Sequence, residues 1–338
     1  MKYALMLGGI GLGLLLGFLP SLRAPKPRWW IVLTLLSVTV TVIAAIFPPI
    51  GGTLTDVVMA SRADSTKVVP FYCIVVDDST LRDARIANLD VALEGGGVRE
   101  LAGRHIIVNV TRGQNDRIVR SNGRSAVSSI DPVITLPYIM GLEERARIIF
   151  FHVPMSWVAL CAYMISMIFG IRYLRSRNLD LDAMSAAAAS LGTLYCVLAT
   201  VTGAVWAKFN WGSFWNWDPR ESSILVLLLI YAAYFLLRNS IADPERRARL
   251  SSVYSIVAFV TVPFLMFVLP RLLPGLHPGS ADDSNAGPLL SPKSDAINPT
   301  KQVLFALSLF AFTLVYFWLT NLRYRMSIAE RTIKENQA

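Results

Sequence analysis

Two of the three histidines stand just before prolines, close to the ends of long apolar runs. His152 is followed by Val153 and Pro154, and the proline disfavours a helical conformation of Val153. His277 directly precedes Pro278, so a position inside a helix is disfavoured there too. A neutral imidazole is a good axial ligand for haem iron, and two imidazoles complete its six-coordination. For either histidine alone, the alternative is a polar anchor at a membrane interface.

Four of the eight tryptophans fall between positions 206 and 217, interleaved with glycine and asparagine. An aromatic belt at the membrane interface explains an occasional tryptophan at a helix end, but not this density. Flat indole faces between basic residues suit a large, flat, apolar ligand that carries negative groups. The candidate ligand contacts are therefore Trp206, Trp211, Trp215 and Trp217, with Lys208 and Arg220 at the edges of the segment.

Asp218 ends the tryptophan-rich segment, and the residues after it predict the start of a helix. An aspartate at the N-cap accepts hydrogen bonds from free backbone N–H groups. Pro219 needs no donor at the first helical position, and Glu221 can reach back to the cap amide. We therefore expect Asp218 to be a structural cap, which fixes where the aromatic segment ends, rather than a catalytic acid.

Long apolar runs must position these residues. The chain has 338 residues, of which 54% are hydrophobic and 16% charged, whereas a soluble domain carries roughly 25% charged residues. Seven runs are long enough to cross a hydrocarbon layer of ~30 Å, namely 4–20, 29–47, 149–171, 186–206, 222–237, 253–273 and 303–320. This pattern excludes an ordinary soluble enzyme and predicts an all-α polytopic membrane protein with about seven transmembrane helices.

The distribution of the +9 net charge indicates membrane orientation rather than a nucleic-acid partner. The connections around Arg23, Arg172 and Arg238, together with the C-terminal tail, hold most basic residues outside the longest loop. Because such an excess stays in the cytoplasm, we expect the N terminus outside and the C terminus in the cytoplasm. The alternative is that run 4–20 is a cleavable signal peptide, which would invert every later span against the charge distribution.

The longest connection, residues 48–148, carries twelve basic and twelve acidic residues and falls on the outer side. Its runs 68–76, 104–111 and 117–120 are rich in Val and Ile and are separated by glycine-containing turns, which is typical of strands. We expect a small β-rich or α/β insert, in which His105 is structural. It either docks a partner, shields the tryptophan-rich segment, or is a decoration without a role in ligand transfer.

These observations predict four parts of the chain: an N-terminal pair of spans (1–47), the insert (48–148), a membrane core (149–325) and a cytoplasmic tail (326–338). The three cysteines suggest no structural disulfide, since only Cys73 lies in the insert. The chain also lacks the pattern Cys-x-x-Cys-His, so any haem would be held without covalent attachment.

Three separated pieces resemble the haem-handling proteins of cytochrome c assembly, and most closely the haem exporter protein C family. They are residues 147–154, residues 201–220 with Trp-Gly-Ser-Phe-Trp-Asn-Trp-Asp at 211–218, and residues 276–280. The resemblance covers about 149–325 and run 29–47. Run 4–20 and the insert depart from the family pattern, and Phe214 stands where many members have tryptophan.

The resemblance implies a protein that binds haem b non-covalently and transiently at the outer face of the bacterial inner membrane. It implies delivery of that haem to a periplasmic haem chaperone, and an assembly component rather than an enzyme. Further implied partners are an ATP-binding-cassette transporter pair and a small single-span subunit, besides membrane lipid. Carried over to this sequence, it makes His152 and His277 the axial ligands and assigns the haem platform to Trp211, Trp215, Trp217 and Asp218.

Two other functions stay open. A membrane electron carrier of cytochrome b type usually places its ligand pairs inside the spans, whereas the prolines after both histidines favour positions at helix boundaries. A small-molecule transporter would need ionisable residues within the spans, and the apolar runs contain few of them.

Overall fold

The computed structural model describes residues 2–19, 21–46, 147–277, 279–281 and 299–337, together with three strands in the insert. The helices of this part are α1 Lys2–Phe18, α2 Arg28–Ile46, α3 Ile149–Ser176, α4 Leu179–Trp211, α5 Pro219–Ser240, α6 Pro244–Pro263, α7 Leu269–Leu272 and α8 Pro299–Gln337. A π-helical turn, Phe264–Val268, connects α6 to α7.

A helix covers most of each predicted apolar run, so the all-α polytopic class is confirmed. Within the described residues, six helices are long and apolar enough to cross a membrane, counting Pro244–Leu272 as one. Run 4–20 forms α1, which is shorter at 17 residues. Two helices extend well beyond their apolar runs: α4 begins at Leu179, and α8 continues to Gln337 through most of the predicted tail.

The backbone forms two compact units. The first, here called the membrane unit, comprises Met1–Thr39, Ile148–Ser291 and Phe305–Ala338, and the second comprises Val40–Arg147 and Pro292–Leu304. The functional boundaries drawn from the sequence at 1–47, 48–148, 149–325 and 326–338 stay a prediction.

In the insert, β1 Val68–Ile74 pairs antiparallel with β3 His105–Thr111, and β2 Val91–Leu93 pairs antiparallel with the other edge of β3. Strands β1 and β3 lie within two of the predicted runs, and His105 begins β3. Strand β2 was not predicted, because three residues are too few to show an alternating pattern. The predicted run 117–120 lies outside the described residues.

The hairpin of α3 and α4 brings the beginning of one helix beside the end of the other. Arg177 between them has a left-handed backbone (φ 56°), and its N–H donates to Tyr173 O at 2.7 Å. Asn178 then caps α4 by accepting the N–H of Asp180 at 2.8 Å. Because this link is so short, the helices run antiparallel, and the first turn of α3 meets the last turns of α4.

Tyrosines and one ion pair join α5 to this hairpin. Tyr163 of α3 stacks on Tyr231 of α5 with ring centroids 3.6 Å apart. Arg238, near the end of α5, donates two hydrogen bonds to Asp182 of α4, at 2.7 and 2.9 Å. A buried Arg–carboxylate pair with this two-pronged geometry holds α4 and α5 in one register. The N-terminal end of α5 is thereby fixed next to the C-terminal end of α4.

Helix α1 runs alongside α8 in the same direction. A Cβ added to Gly9 would collide with the backbone of Ala306, and one added to Gly13 would lie 2.9 Å from Thr313 Cβ. Small residues four positions apart allow two helix backbones to approach closely inside a membrane. The prediction that run 4–20 is a helix is therefore confirmed, but the packing role of its glycines was missed.

The helix formed by run 253–273 is interrupted before it reaches the loop that contains His277. The N–H of Leu269 donates to Phe264 O five residues earlier, and Pro270 has no N–H with which to continue a regular ladder. Leu273 is already extended (φ −116°, ψ 147°). The chain therefore leaves the helix four residues before His277, which lies in the loop as predicted.

Candidate functional site

Asp218 is the N-cap of α5, and the predicted capping box is confirmed. Its side chain accepts the N–H of Arg220 at 2.8 Å. In return, Glu221 Oε2 accepts the N–H of Asp218 at 3.3 Å and that of Asn216 at 2.7 Å. Glu221 of α5 thus holds the backbone of Asn216 and Asp218, at the end of the aromatic segment.

The same carboxylate also holds His277, a contact that the sequence did not predict. Asp218 Oδ1 lies 2.7 Å from His277 Nδ1, and Oδ2 accepts the N–H groups of Leu276 at 2.7 Å and His277 at 3.4 Å. Since an ionised carboxylate only accepts, Nδ1 must carry the hydrogen. In the neutral imidazole, the lone pair of His277 Nε2 is then available to a metal.

Asp218 stays ionised in this environment. Burial raises the pKa of its carboxyl group, because only 1% of the side chain is exposed. The hydrogen bond and charge of His277 and the N–H groups of Arg220 and Leu276 lower that pKa by more. The net result is a pKa far below the ordinary value for aspartate.

His152 is the fourth residue of α3, and α4 fixes the orientation of its ring. Its Nδ1 lies 2.8 Å from Ala199 O and 3.3 Å from Thr202 Oγ1. Because a carbonyl oxygen cannot donate, Nδ1 carries the hydrogen here as well. On the same side, a Cβ added to Gly203 would lie 2.8 Å from His152 Cε1, so the ring packs directly against the α4 backbone.

One expectation about His152 is wrong, because Val153 is helical although it precedes Pro154. A proline at this position leaves the carbonyl oxygen of Phe150 without its usual donor four residues later. Ser308 of α8 replaces that donor, since its buried hydroxyl donates to Phe150 O. His152 therefore lies in the first turn of a continuous helix that α8 supports.

Two of the four candidate tryptophans surround His277. Trp211 contacts its ring edge to face, with centroids 4.7 Å apart at 70°. Trp206 lies 5.9 Å from the same ring and 4.9 Å from Trp211. The three rings form an aromatic wall contributed by the end of α4 and the loop after α7.

Trp215 and Trp217 contact each other instead, with centroids 5.8 Å apart at 89°. Trp217 has a positive φ of 55°, which is rare for a bulky residue, and 72% of its surface is exposed. Lys208 donates to Gly212 O at 2.9 Å, and its ammonium lies 5.7 Å from the ring centroid of Phe214. These residues form an exposed aromatic edge next to the wall around His277.

Two buried donors of the site have no acceptor among the described residues: Trp206 Nε1 and Arg220 Nε. Arg220 is the second residue of α5, within electrostatic range of the cation of Arg271 and of the anion of Asp218, which also accepts its N–H. Unpaired buried donors are uncommon, and each is satisfied when a ligand supplies an acceptor. Anionic oxygens of a ligand suit both groups, and Arg271 was not among the predicted site residues.

Both imidazoles lie along one face of α4. Gly203, which packs on His152, and Trp206, which packs near His277, are three positions apart and therefore occupy neighbouring turns of the same face. Segments far apart in the sequence thus meet at one end of the membrane unit, with two Nε2 atoms available.

The comparisons with known proteins find one family model and several relatives of the same name. A model described as heme exporter protein C matches residues 126–338 of this chain. The heme exporter protein C of Bradyrhizobium diazoefficiens is 33% identical over 121 residues, which are 36% of this chain and 46% of that protein. This chain thus spans about half the length of that relative.

Two further relatives extend the comparison. The heme exporter protein C of Rhodobacter capsulatus is 29% identical over 199 residues, or 59% of this chain and 79% of that protein. The cytochrome c biogenesis protein CcsA of Prochlorococcus marinus is 41% identical over 85 residues, or 25% of this chain and 27% of that protein. The similarity therefore covers much of the membrane unit and reaches a second group of cytochrome c assembly proteins.

Proposed function

Because this chain belongs to the heme exporter protein C family, we propose that it binds haem b non-covalently and transiently for cytochrome c assembly. Its relatives are named for heme export and for cytochrome c biogenesis. The bound haem is passed to a periplasmic haem chaperone, and the protein acts as an assembly component rather than an enzyme.

The axial ligands in this proposal are His152 and His277. The observation that carries it is that both rings are held through Nδ1, by Ala199 O at 2.8 Å and by Asp218 Oδ1 at 2.7 Å. Metal-binding histidines typically donate their other ring N–H in this way, which fixes the tautomer and directs Nε2 at the metal. The loop position of His277, 17% exposed, supports transfer of haem rather than permanent storage inside a span.

The remaining site residues divide into two groups. Trp206 and Trp211 pack against one face of the macrocycle, while the unpaired Nε of Arg220 supports a contact with a haem propionate. Lys208, Trp215 and Trp217 lie at the exposed edge, where they contact a haem edge or the partner that collects it. This division refines the platform that the resemblance implies.

The proposed location is the bacterial inner membrane, with the haem site on the periplasmic side and the C terminus in the cytoplasm. The basic connections support this orientation. The parallel packing of α1 with α8 fits the seven crossings of this topology, because the first and the seventh crossing run in the same direction. The proposed partners besides the chaperone are an ATP-binding-cassette transporter pair and a small single-span subunit.

The test is the absorption spectrum of the protein purified in detergent and loaded with haem. We expect a Soret band typical of two imidazole ligands, which shifts or weakens in His152→Ala and again in His277→Ala. His105→Ala is the matched control, because it removes the remaining histidine, at the start of β3, and leaves both proposed ligands in place. Spectra and haem occupancy that are the same in all three variants would refute axial ligation.

A further inference from the structure

A cavity lies at the other end of the membrane unit from the two histidines. It has a volume of about 330 Å³ and is found where α1 and α3 end and α4 begins. Its apolar wall consists of Phe18, Leu22, Phe169, Leu181 and Met184. An apolar cavity between membrane helices can hold the acyl chain of a lipid. The residues at its mouth then determine which lipid headgroup can bind.

The mouth of this cavity has an excess of positive charge. Asp180 supplies a carboxylate, and Arg331 already binds it at 2.5 Å, with Arg23 at 3.8 Å. Arg172 lines the same mouth, and its guanidinium lies 5.2 Å from the ring centroid of Phe169, with no carboxylate bound among the described residues. Two arginines that line the cavity, Arg23 and Arg172, therefore face one lining carboxylate, which Arg331 already binds.

The cavity lies at the ends of the membrane helices, where a lipid headgroup would be found. Arg23 follows the end of α1, and Arg172 belongs to the last turns of α3. Both lie at the end of the membrane unit where the basic connections are found. The phenolic ring of Tyr324 of α8 completes the mouth. Basic pockets between membrane helices on the cytoplasmic side are a common way of binding anionic lipid headgroups.

We propose that this cavity is a specific binding site for one anionic phospholipid of the leaflet that contacts the basic connections. The phosphate binds to Arg23 and Arg172, while acyl carbons occupy the apolar wall formed with Phe169. This site is independent of the proposed haem site, since Arg172 follows His152 in α3 by twenty residues, or roughly 30 Å along a helix. Its occupant ties α1 to the α3–α4 hairpin.

The experiment measures lipid that remains bound when the full chain is released from nanodiscs and analysed by native mass spectrometry. In phosphatidylglycerol nanodiscs we expect one retained lipid per chain, and at least about tenfold less retention in the double variant Arg23→Gln/Arg172→Gln. Arg249→Gln is the matched control, because it removes an exposed arginine near the start of α6, outside the cavity. It is expected to retain the lipid.

A third variant tests the cavity without removing charge. Ser21→Trp places a large ring at the mouth from an exposed position, so folding is preserved if the double arginine variant proves unstable. Loss of the lipid in Ser21→Trp supports the proposal. Equal retention in the wild type and in the folded variants overturns it, as does equal retention of phosphatidylcholine. Displacement of the lipid by millimolar inorganic phosphate would show a phosphate site without lipid specificity and would also overturn it.

Discussion

Asp218 combines two functions at the scale of a single residue. One oxygen caps α5 and holds the ring of His277, and the other accepts two N–H groups of the loop that contains this histidine. The capping role follows from local sequence, because the acceptor and its donors are within three residues of each other. The contact with His277 spans 59 residues, so local spacing carries no signal for it.

Replacing Asp218 with Asn is expected to weaken haem binding about tenfold while the helix cap largely survives. Asparagine is a good N-cap, but its neutral amide is a weaker acceptor for His277 Nδ1–H. Loss of such a supporting partner typically costs ~10–100-fold in metal affinity. The measurement is a haem titration followed by absorbance, with thermal melting recorded on the same samples.

Glu221→Gln separates the two roles of the motif. It weakens the reciprocal half of the capping box without touching His277, so it should lower the melting temperature slightly and leave haem affinity unchanged. If both variants lose haem affinity equally, the effect comes from the cap and the positioning role of Asp218 is rejected.

The low pKa of Asp218 also sets a pH dependence. A carboxyl group whose pKa is lower in the folded than in the unfolded protein stabilises the fold above the unfolded value of about 4. That stabilisation decreases as the pH falls below the unfolded value and is lost once the pH passes the lower, folded value. Wild-type protein should therefore show no titration of Asp218 between about pH 5 and 8, so changes in haem binding there must come from other groups.

At the scale of elements, the helices themselves were predictable, because apolar length in a membrane protein leaves few alternatives. The polar start of α4 was missed, since residues such as Asp180 and Asp182 break the apolar run, although Asn178 is a recognisable cap. Gly9 and Gly13 of α1 carried a readable signal of close packing, but not the identity of the partner helix. The π-helical turn after Pro263 had no clear signal in the sequence.

The first turn of α3 depends on a hydroxyl from another helix. Ser308→Ala removes the donor to Phe150 O in a fully buried position, and an unsatisfied buried carbonyl costs about 1–3 kcal/mol. Pro154→Ala supplies a backbone N–H at the regular position, so it should rescue much of that loss in the double variant. The measurement is the apparent melting temperature of all four proteins in one detergent.

Ser156→Ala serves as the control for this cycle. It also removes a serine hydroxyl, one that donates to His152 O at 3.1 Å within the same helix, where no proline has removed the backbone donor. We expect little change in its melting temperature. Additive effects of Ser308→Ala and Pro154→Ala would contradict the proposed compensation.

At the scale of the whole molecule, the site is assembled from α3, α4, the start of α5 and the loop after α7. Sequence reasoning identified His152, His277 and the tryptophan-rich segment as chemically unusual, but it could not show that they meet. Periodicity reports which residues share a face of one helix, whereas the arrangement of several helices depends on packing such as that of Tyr163 on Tyr231. Only the resemblance to a known family indicated that these residues act together on one ligand.

Every described contact of this site lies in the membrane unit, so the insert is expected to be dispensable for haem binding. Arg147, which follows the insert, donates to Ala45 O at 3.3 Å near the end of α2, so a Gly-Ser linker of about six residues can replace 48–146. The shortened protein should keep the wild-type Soret band, and His152→Ala in the same background should still alter it. If the insert docks a partner, the shortened protein should support less cytochrome c assembly in cells although its spectrum is unchanged. Full assembly would identify the insert as a decoration. Loss of the Soret band would contradict the prediction that the haem site is independent of the insert.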